Sequence, residues 1–205
     1  QQRLATDVAQ WIEEARRGST EALGRALDHC RAYLLLVANQ DLPGDLRAKV
    51  GASDLVQQTF LEAQQDFAQF HGHSADELLA WLRQLLRNNL TNITRHYRDT
   101  DKRQVSREVS LTDTPAHDLL HALADDGASP SKNLQAREQD TAVRQAIERL
   151  PEPYRQVIEW RNYEELAFEE IGQRLERSAE AARKLWMRAI DQLSTLLEDP
   201  NRADT

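Results

Sequence analysis

The sequence predicts an all-α protein of two helical domains joined by a flexible linker, with a helix-turn-helix in the C-terminal one. Three observations predict it. Only 7 Gly and 6 Pro occur in 205 residues, too few for the turns of a sheet-rich fold. Apolar residues recur at helical spacing, without the alternation of strands. That pattern then dissolves from Asp99 to about Lys132, where TDTPAHD and ADDGASPSK supply turn signals, and it resumes near Asn133. The division that follows is 1–104, a linker at 105–135, and 136–198.

Taken in order, Leu4, Val8, Trp11 and Ile12 define a first helix, and Leu23, Ala26, Leu27 and Tyr33 to Val37 a second. Gly18 and Ser19 separate them, with Ser19 as N-cap. DLPGDLRAKVG at 41–51 reads as a connection. A third helix covers about 53–70, HGHS at 71–74 is a loop, and a fourth helix covers about 76–98. DLLHALA within the linker suits a short helix. Beyond it, helices cover about 134–149, 152–162, 167–176 and 178–197, and the tail EDPNRADT frays.

Three helix faces carry functional information. In the fourth helix, Leu78, Leu79, Leu82, Leu86, Ile93 and Tyr97 form the buried stripe at about 100° per residue. Arg83, Gln84, Arg87, Thr91, Arg95 and Arg98 lie opposite, with Trp81, Asn88 and Asn92 at the margin. From Leu78 to Arg98 there is no acid in 21 residues, where the chain average of 34 in 205 would place three or four. Guanidinium groups for phosphates, amides for base edges and an indole for stacking suit single-stranded DNA.

In the third helix Val56, Phe60, Ala63 and Phe67 face inward, and Asp54, Gln58, Leu61 and Gln65 outward. An apolar Leu61 among polar residues marks a possible protein contact. The third face lies in FEEIGQRLERSAEAARKLWMRA at 168–189. Phe168, Ile171 and Leu175 form one short helix. In the next, Ala182, Leu185, Trp186, Ala189 and Leu193 face inward, while Glu180, Arg183, Lys184, Met187 and Arg188 face outward. Ser178 caps this second helix and Glu180 favours its dipole. Such a pair is a helix-turn-helix whose second helix enters the major groove.

The order ASDLVQQTFLEA, AWLRQLLRNNLTNITRHYR, linker, LPEPYRQVIEWRNYEELAFEEIGQRLERSAEAARKLWMRAIDQL resembles a bacterial RNA polymerase sigma factor of the extracytoplasmic-function class, over roughly 20–110 and 136–197. The resemblance implies a sigma region 2 domain at 1–104 and a region 4 domain at 136–198, and promoter-specific initiation without catalysis. It implies that Asp54, Gln57, Gln58, Leu61 and Glu62 dock on the polymerase β′ coiled coil, with the β flap as a further contact. The loop at 71–77 and Trp81, Asn88, Asn92, Arg95 and Arg98 would melt and read the −10 element. Arg83, Arg87, Lys102 and Arg103 would hold phosphates. Ser178, Glu180, Arg183, Lys184 and Arg188 would read the −35 element. An anti-sigma factor is a partner the family allows.

Three positions depart from the family pattern. Gln58 stands where an acid is common, and phosphorylation of Thr59 would restore the charge. Ala167 replaces the Ser/Thr cap, leaving the Glu170 half of a capping box. Glu176 occupies a connector position where Gly is frequent. The competing readings are a helix-turn-helix regulator that binds an operator without polymerase, and a sigma-like adaptor acting through protein contacts.

A net charge of −8 argues against indiscriminate nucleic-acid binding, so any DNA contact must be local. No apolar run approaches a membrane span, no secretory signal is expected at the N-terminus, and the single Cys30 suits a reducing, cytoplasmic compartment. An enzyme is not expected. The two His of HGH have no completing ligand set, His29 beside Cys30 lacks an orienting group, and no phosphate-binding loop is present. Neither a metal nor a cofactor is implied.

Overall fold

The computed structural model describes residues 2–47, 50–105 and 130–198. The expected short helix in DLLHALA therefore lies outside the described residues. The elements are α1 (Gln2–Arg16), α2 (Thr20–Asp41), α3 (Gly44–Arg47), α4 (Ala52–Asp66), α5 (Ala75–Val105), α6 (Pro130–Glu148), α7 (Glu152–Ile158), α8 (Phe168–Arg174) and α9 (Ala179–Glu198). No strand occurs among the described residues.

Local chemistry sets most of the boundaries. Gly18 takes φ 97°, a left-handed conformation that ends α1. Ser19 then caps α2, its hydroxyl accepting the Ala22 N–H at 3.2 Å. Pro43 follows the extended Leu42 that closes α2, and the 41–51 connection contains the short helix α3. Arg47 fixes that turn by donating to the carbonyls of Leu42 and Asn39.

Two boundaries differ from the sequence reading. α5 continues to Val105, because the polar stretch after Arg98 contains no Gly or Pro to stop it. α6 opens at Pro130, inside the expected linker, because proline is tolerated in a helix's first turn. A single π turn, Glu159–Tyr163, extends α7, with Glu164 N–H donating to Glu159 O at 3.1 Å.

In the N-terminal unit (α1–α5), α2 packs on α1, α4 and α5 around Leu27, Leu34, Leu36, Leu55, Leu78, Leu82 and Leu86, all fully buried. In the C-terminal unit (α6–α9), α9 packs on α7 and α8 around Ile158, Ile171 and Ile190. The two cores are continuous, because α9 also lies on α2. There Tyr33 meets Trp186 edge-on at 5.3 Å, and His29 Nε2 lies 3.2 Å from Asp191 Oδ1. Gln40 Nε2 donates to Asn162 O at 2.6 Å. Trp186, at 4% exposure, is core and not a contact residue.

Candidate nucleic-acid interface

The helix-turn-helix is built on a close approach. A Cβ at Gly172 in α8 would lie 2.8 Å from Arg177 O and 3.1 Å from Ala179 N, so only glycine lets α8 meet the start of α9. Arg177 N–H donates to Gly172 O at 2.8 Å across this turn. Glu176 sits in the connector at φ 54°, the left-handed geometry for which Gly is the usual residue. Ser178 Oγ accepts the Ala181 N–H at 3.2 Å and caps α9. At the start of α8, Ala167 has no side-chain oxygen to offer, so of the two capping-box bonds only the one from its own N–H to Glu170, at 2.8 Å, is made.

α9 buries Ala182, Leu185, Trp186, Ala189 and Leu193, with Phe168 against Trp186 at 5.8 Å. Lys184 and Arg188 are exposed and Arg183 is half-buried. Glu180 stands 3.5 Å from Lys184 and 3.9 Å from Arg183. Residues 140–193, which contain the whole of this motif, match the family described as Sigma-70, region 4. Over 147 residues the chain is 27% identical to the RNA polymerase sigma-H factor of Pseudomonas aeruginosa, covering 72% of this chain and 73% of that protein. The chain carries a Sigma-70 region 4 domain and is similar to a sigma factor over most of its length.

The second basic face of the chain lies along α5. Asn88, Thr91, Asn92, Arg95 and Arg98 are exposed. Arg95 and Arg98 line a cavity of about 460 Å³ with Asp41, Pro43, Leu90, Thr91 and Thr94. The side chains of Lys102 and Arg103 lie outside the described residues.

Four expected contact residues are engaged differently from the sequence reading. Trp81 is half-buried, with Phe70 over it at 5.1 Å and 30°, because the Phe70–Ser74 loop folds back on α5. Arg83 and Arg87 both reach Glu165 Oε1, at 3.3 and 2.6 Å, and Arg87 also pairs with Asp41 at 3.2 Å. Arg183 does not point freely outward; it pairs with Asp76 in the first turn of α5 at 3.2 Å. Glu165 and Asp76 reach these arginines across the two units, and Asp41 reaches Arg87 from within the N-terminal one.

On α4, Leu61 is 42% exposed and Gln57 is exposed beside it, while Asp54 and Gln58 are half-buried. Glu62 is partly committed within the fold, accepting from Asn89 Nδ2 at 2.7 Å. Thr59 corrects the phosphorylation expectation. It is fully buried, donates to Leu55 O at 2.8 Å and accepts from Asn89 at 3.4 Å, so no kinase can reach it in the folded chain. Helical spacing left Thr59 undecided because a Thr–Asn contact between helices has no apolar signature.

Sequence reasoning also missed Asn89, Arg16 and Glu165. Asn89 lies in the acid-free stretch but faces α4. Arg16 ends α1 and holds the loop before α5. Glu165 belongs to an acidic pair in a loop, and only the packing of the two units brings it to Arg83 and Arg87. Among the described residues, no three of His, Cys, Asp and Glu converge as metal ligands. None of the described helices is long and apolar enough to cross a membrane.

Proposed function

We propose that this chain is a sigma factor of the extracytoplasmic-function class. It docks on core RNA polymerase through Asp54, Gln57, Gln58, Leu61 and Glu62, with the β′ coiled coil and β flap as partner surfaces. It reads the −10 element with α5 and the 71–77 loop, and the −35 element with Ser178, Glu180, Arg183, Lys184 and Arg188. The observation that carries the reading is a basic, groove-sized α9 behind a glycine-tight turn, in the same chain as a second, acid-free basic helix. The chain contributes recognition and strand melting and no covalent chemistry. Its place of action is the cytoplasm, and an anti-sigma factor is a further partner class.

In this arrangement Asp76 of α5 touches Arg183 of α9 at 3.2 Å. The two promoter elements are centred about 25 base pairs apart, roughly 85 Å of duplex at 3.4 Å per pair. Readers in contact cannot occupy both, so the units separate on the promoter and phosphates replace Glu165 and Asp76 as partners of the arginines. A helix-turn-helix regulator would account for α7–α9 but assigns nothing to Leu61 or the α5 face.

In vitro transcription with core polymerase on a genomic promoter library tests the reading. Transcripts should start downstream of a shared pair of elements, and Arg183→Ala with Lys184→Ala should abolish dependence on the −35 element. Operator binding with neither core association nor transcripts would favour the regulator instead. Unchanged −35 dependence in the double variant would favour an adaptor role.

A further inference from the structure

The Phe70–Ser74 loop is held from two sides by residues that no motif marks. From α1, Arg16 Nη2 donates to Gly72 O at 2.5 Å and to Phe70 O at 3.3 Å. Arg16 Nη1 donates to Glu13 Oε1 at 2.8 Å and lies 2.8 Å from His73 Nδ1, which is itself 3.1 Å from Glu13. From α5, Glu77 Oε2 accepts the N–H groups of His73 and Ser74 at 2.8 and 3.0 Å, and the Ser74 hydroxyl at 2.6 Å. Gly72 is the tight point between them. A Cβ there would fall 2.6 Å from the Phe70 ring and 2.7 Å from Glu77 Cβ. The Phe70 ring, 5.9 Å from the Arg16 guanidinium, covers Trp81, and His71 is left exposed.

We infer that Arg16 is a positioning residue for −10 recognition. Its Nη2 holds both loop carbonyls while Nη1 is held by Glu13, and the planar group so anchored fixes Phe70, which in turn fixes the Trp81 ring. The loop and ring then meet single-stranded DNA already ordered, so the entropy of ordering them is not charged to binding. A lysine keeps the charge but has one nitrogen, and cannot hold the loop carbonyls and Glu13 from two fixed positions of one plane. The inference rests on the reading that this loop and α5 read the −10 element.

The test uses polymerase holoenzyme carrying wild-type, Arg16→Gln, Arg16→Lys, Gly72→Ala or His71→Ala chains. Three quantities are measured: core affinity, affinity for a single-stranded −10 oligonucleotide, and base preference on a promoter with randomised −10 and fixed −35 elements. Arg16→Gln should leave core affinity and −35 dependence in place, weaken oligonucleotide binding about tenfold and flatten the −10 preference. Arg16→Lys should recover part of both. Gly72→Ala, which disturbs the loop from the other side, should reproduce the flattening with Arg16 intact. If Arg16→Gln loses core affinity and thermal stability in step with −10 binding, the residue is merely structural and the inference falls. It also falls if Arg16→Gln matches wild type while Gly72→Ala or His71→Ala flattens the preference. If no loop variant alters −10 preference, the reading of the loop itself fails, and the inference with it.

Discussion

Arg87 Nη2 lies 2.6 Å from Glu165 Oε1, across 78 positions of chain and between the two helical units. The same oxygen stands 3.3 Å from Arg83, so one carboxylate serves two guanidinium groups. Glu165 does this from a left-handed backbone at φ 55°, a conformation that disfavours a side chain. The neighbouring turn holds it there: Arg161 Nη1 donates to Leu166 O at 2.8 Å and lies over Phe168 at 4.6 Å. In the proposed function a backbone phosphate would replace this carboxylate between the two arginines.

Replacing Glu165 with Gln should loosen the contact between the units and free both arginines. Glu165 is 60% exposed, so each pair contributes only about 0.2–1 kcal/mol. The expected effect is correspondingly modest. A distance reporter with one label on each unit should show more of the open form, and non-specific duplex binding at low salt should tighten a few-fold. Fluorescence anisotropy at two salt concentrations checks the second point. The gain should shrink as salt rises, because it comes from phosphate contacts.

The same contact should respond to acid in a definite direction. The hydrogen bond from Arg87, then the charges of Arg87 and Arg83, hold the Glu165 carboxyl below its ordinary 4.5. A depressed carboxyl stabilises the folded contact fully above its unfolded value and loses that contribution as pH falls through the folded one. The contribution of Glu165 to the reported distance should therefore be constant from pH 8 to about 5 and be lost below about 4.5. In Glu165→Gln that part of the acid response should disappear. Glu13 and Glu77 are depressed too, chiefly through hydrogen bonds from His73 and Ser74 respectively, but both lie within the N-terminal unit. Their protonation affects the Phe70–Ser74 loop and not the interunit distance.

How much was legible in the sequence depended on the range of the interaction. The Ser19 and Ser178 caps, the Glu170 half-box and the left-handed Glu176 are set by neighbours a few residues away, and the residue types alone pointed to them. Periodicity likewise separated Trp186 from the outward Lys184 and Arg188. It could not reveal that Arg83, Arg87 and Arg183 are paired, since Glu165 and Asp76 approach them only through tertiary packing. Asn89 was hidden for another reason. A polar residue buried on a polar helix has no signature until its partners Glu62 and Thr59 on α4 are known.

That buried pair yields a stability prediction. Asn89→Ala removes a donor to a half-buried carboxylate and to a buried hydroxyl, and should cost about 1–3 kcal/mol in chemical denaturation. Thr59→Glu is more severe. It places an unpaired charge at a fully buried site beside Glu62, and a loss of about 3–5 kcal/mol is expected. Reduced core-polymerase affinity in that variant would accordingly track unfolding, which circular dichroism separates from a surface effect. Thr59→Val keeps the shape, loses one hydroxyl and should stay folded.

The turn before α9 offers two substitutions of opposite sign, four residues apart. Gly172→Ala forces a methyl group to 2.8 Å from Arg177 O, so α8 and α9 must move apart, and overpacking of this kind costs about 1–3 kcal/mol. Glu176→Gly removes a side chain from a left-handed site at φ 54° and should gain about 1 kcal/mol, the steric relief exceeding glycine's extra chain entropy. Thermal unfolding of the two single variants measures each change. The functional consequence separates geometry from stability. Gly172→Ala tilts the basic face of α9 away from its position over α8, and should weaken −35 duplex binding even at temperatures where the domain is fully folded. Glu176→Gly leaves that face where it is, so its −35 affinity should match wild type while its melting temperature rises.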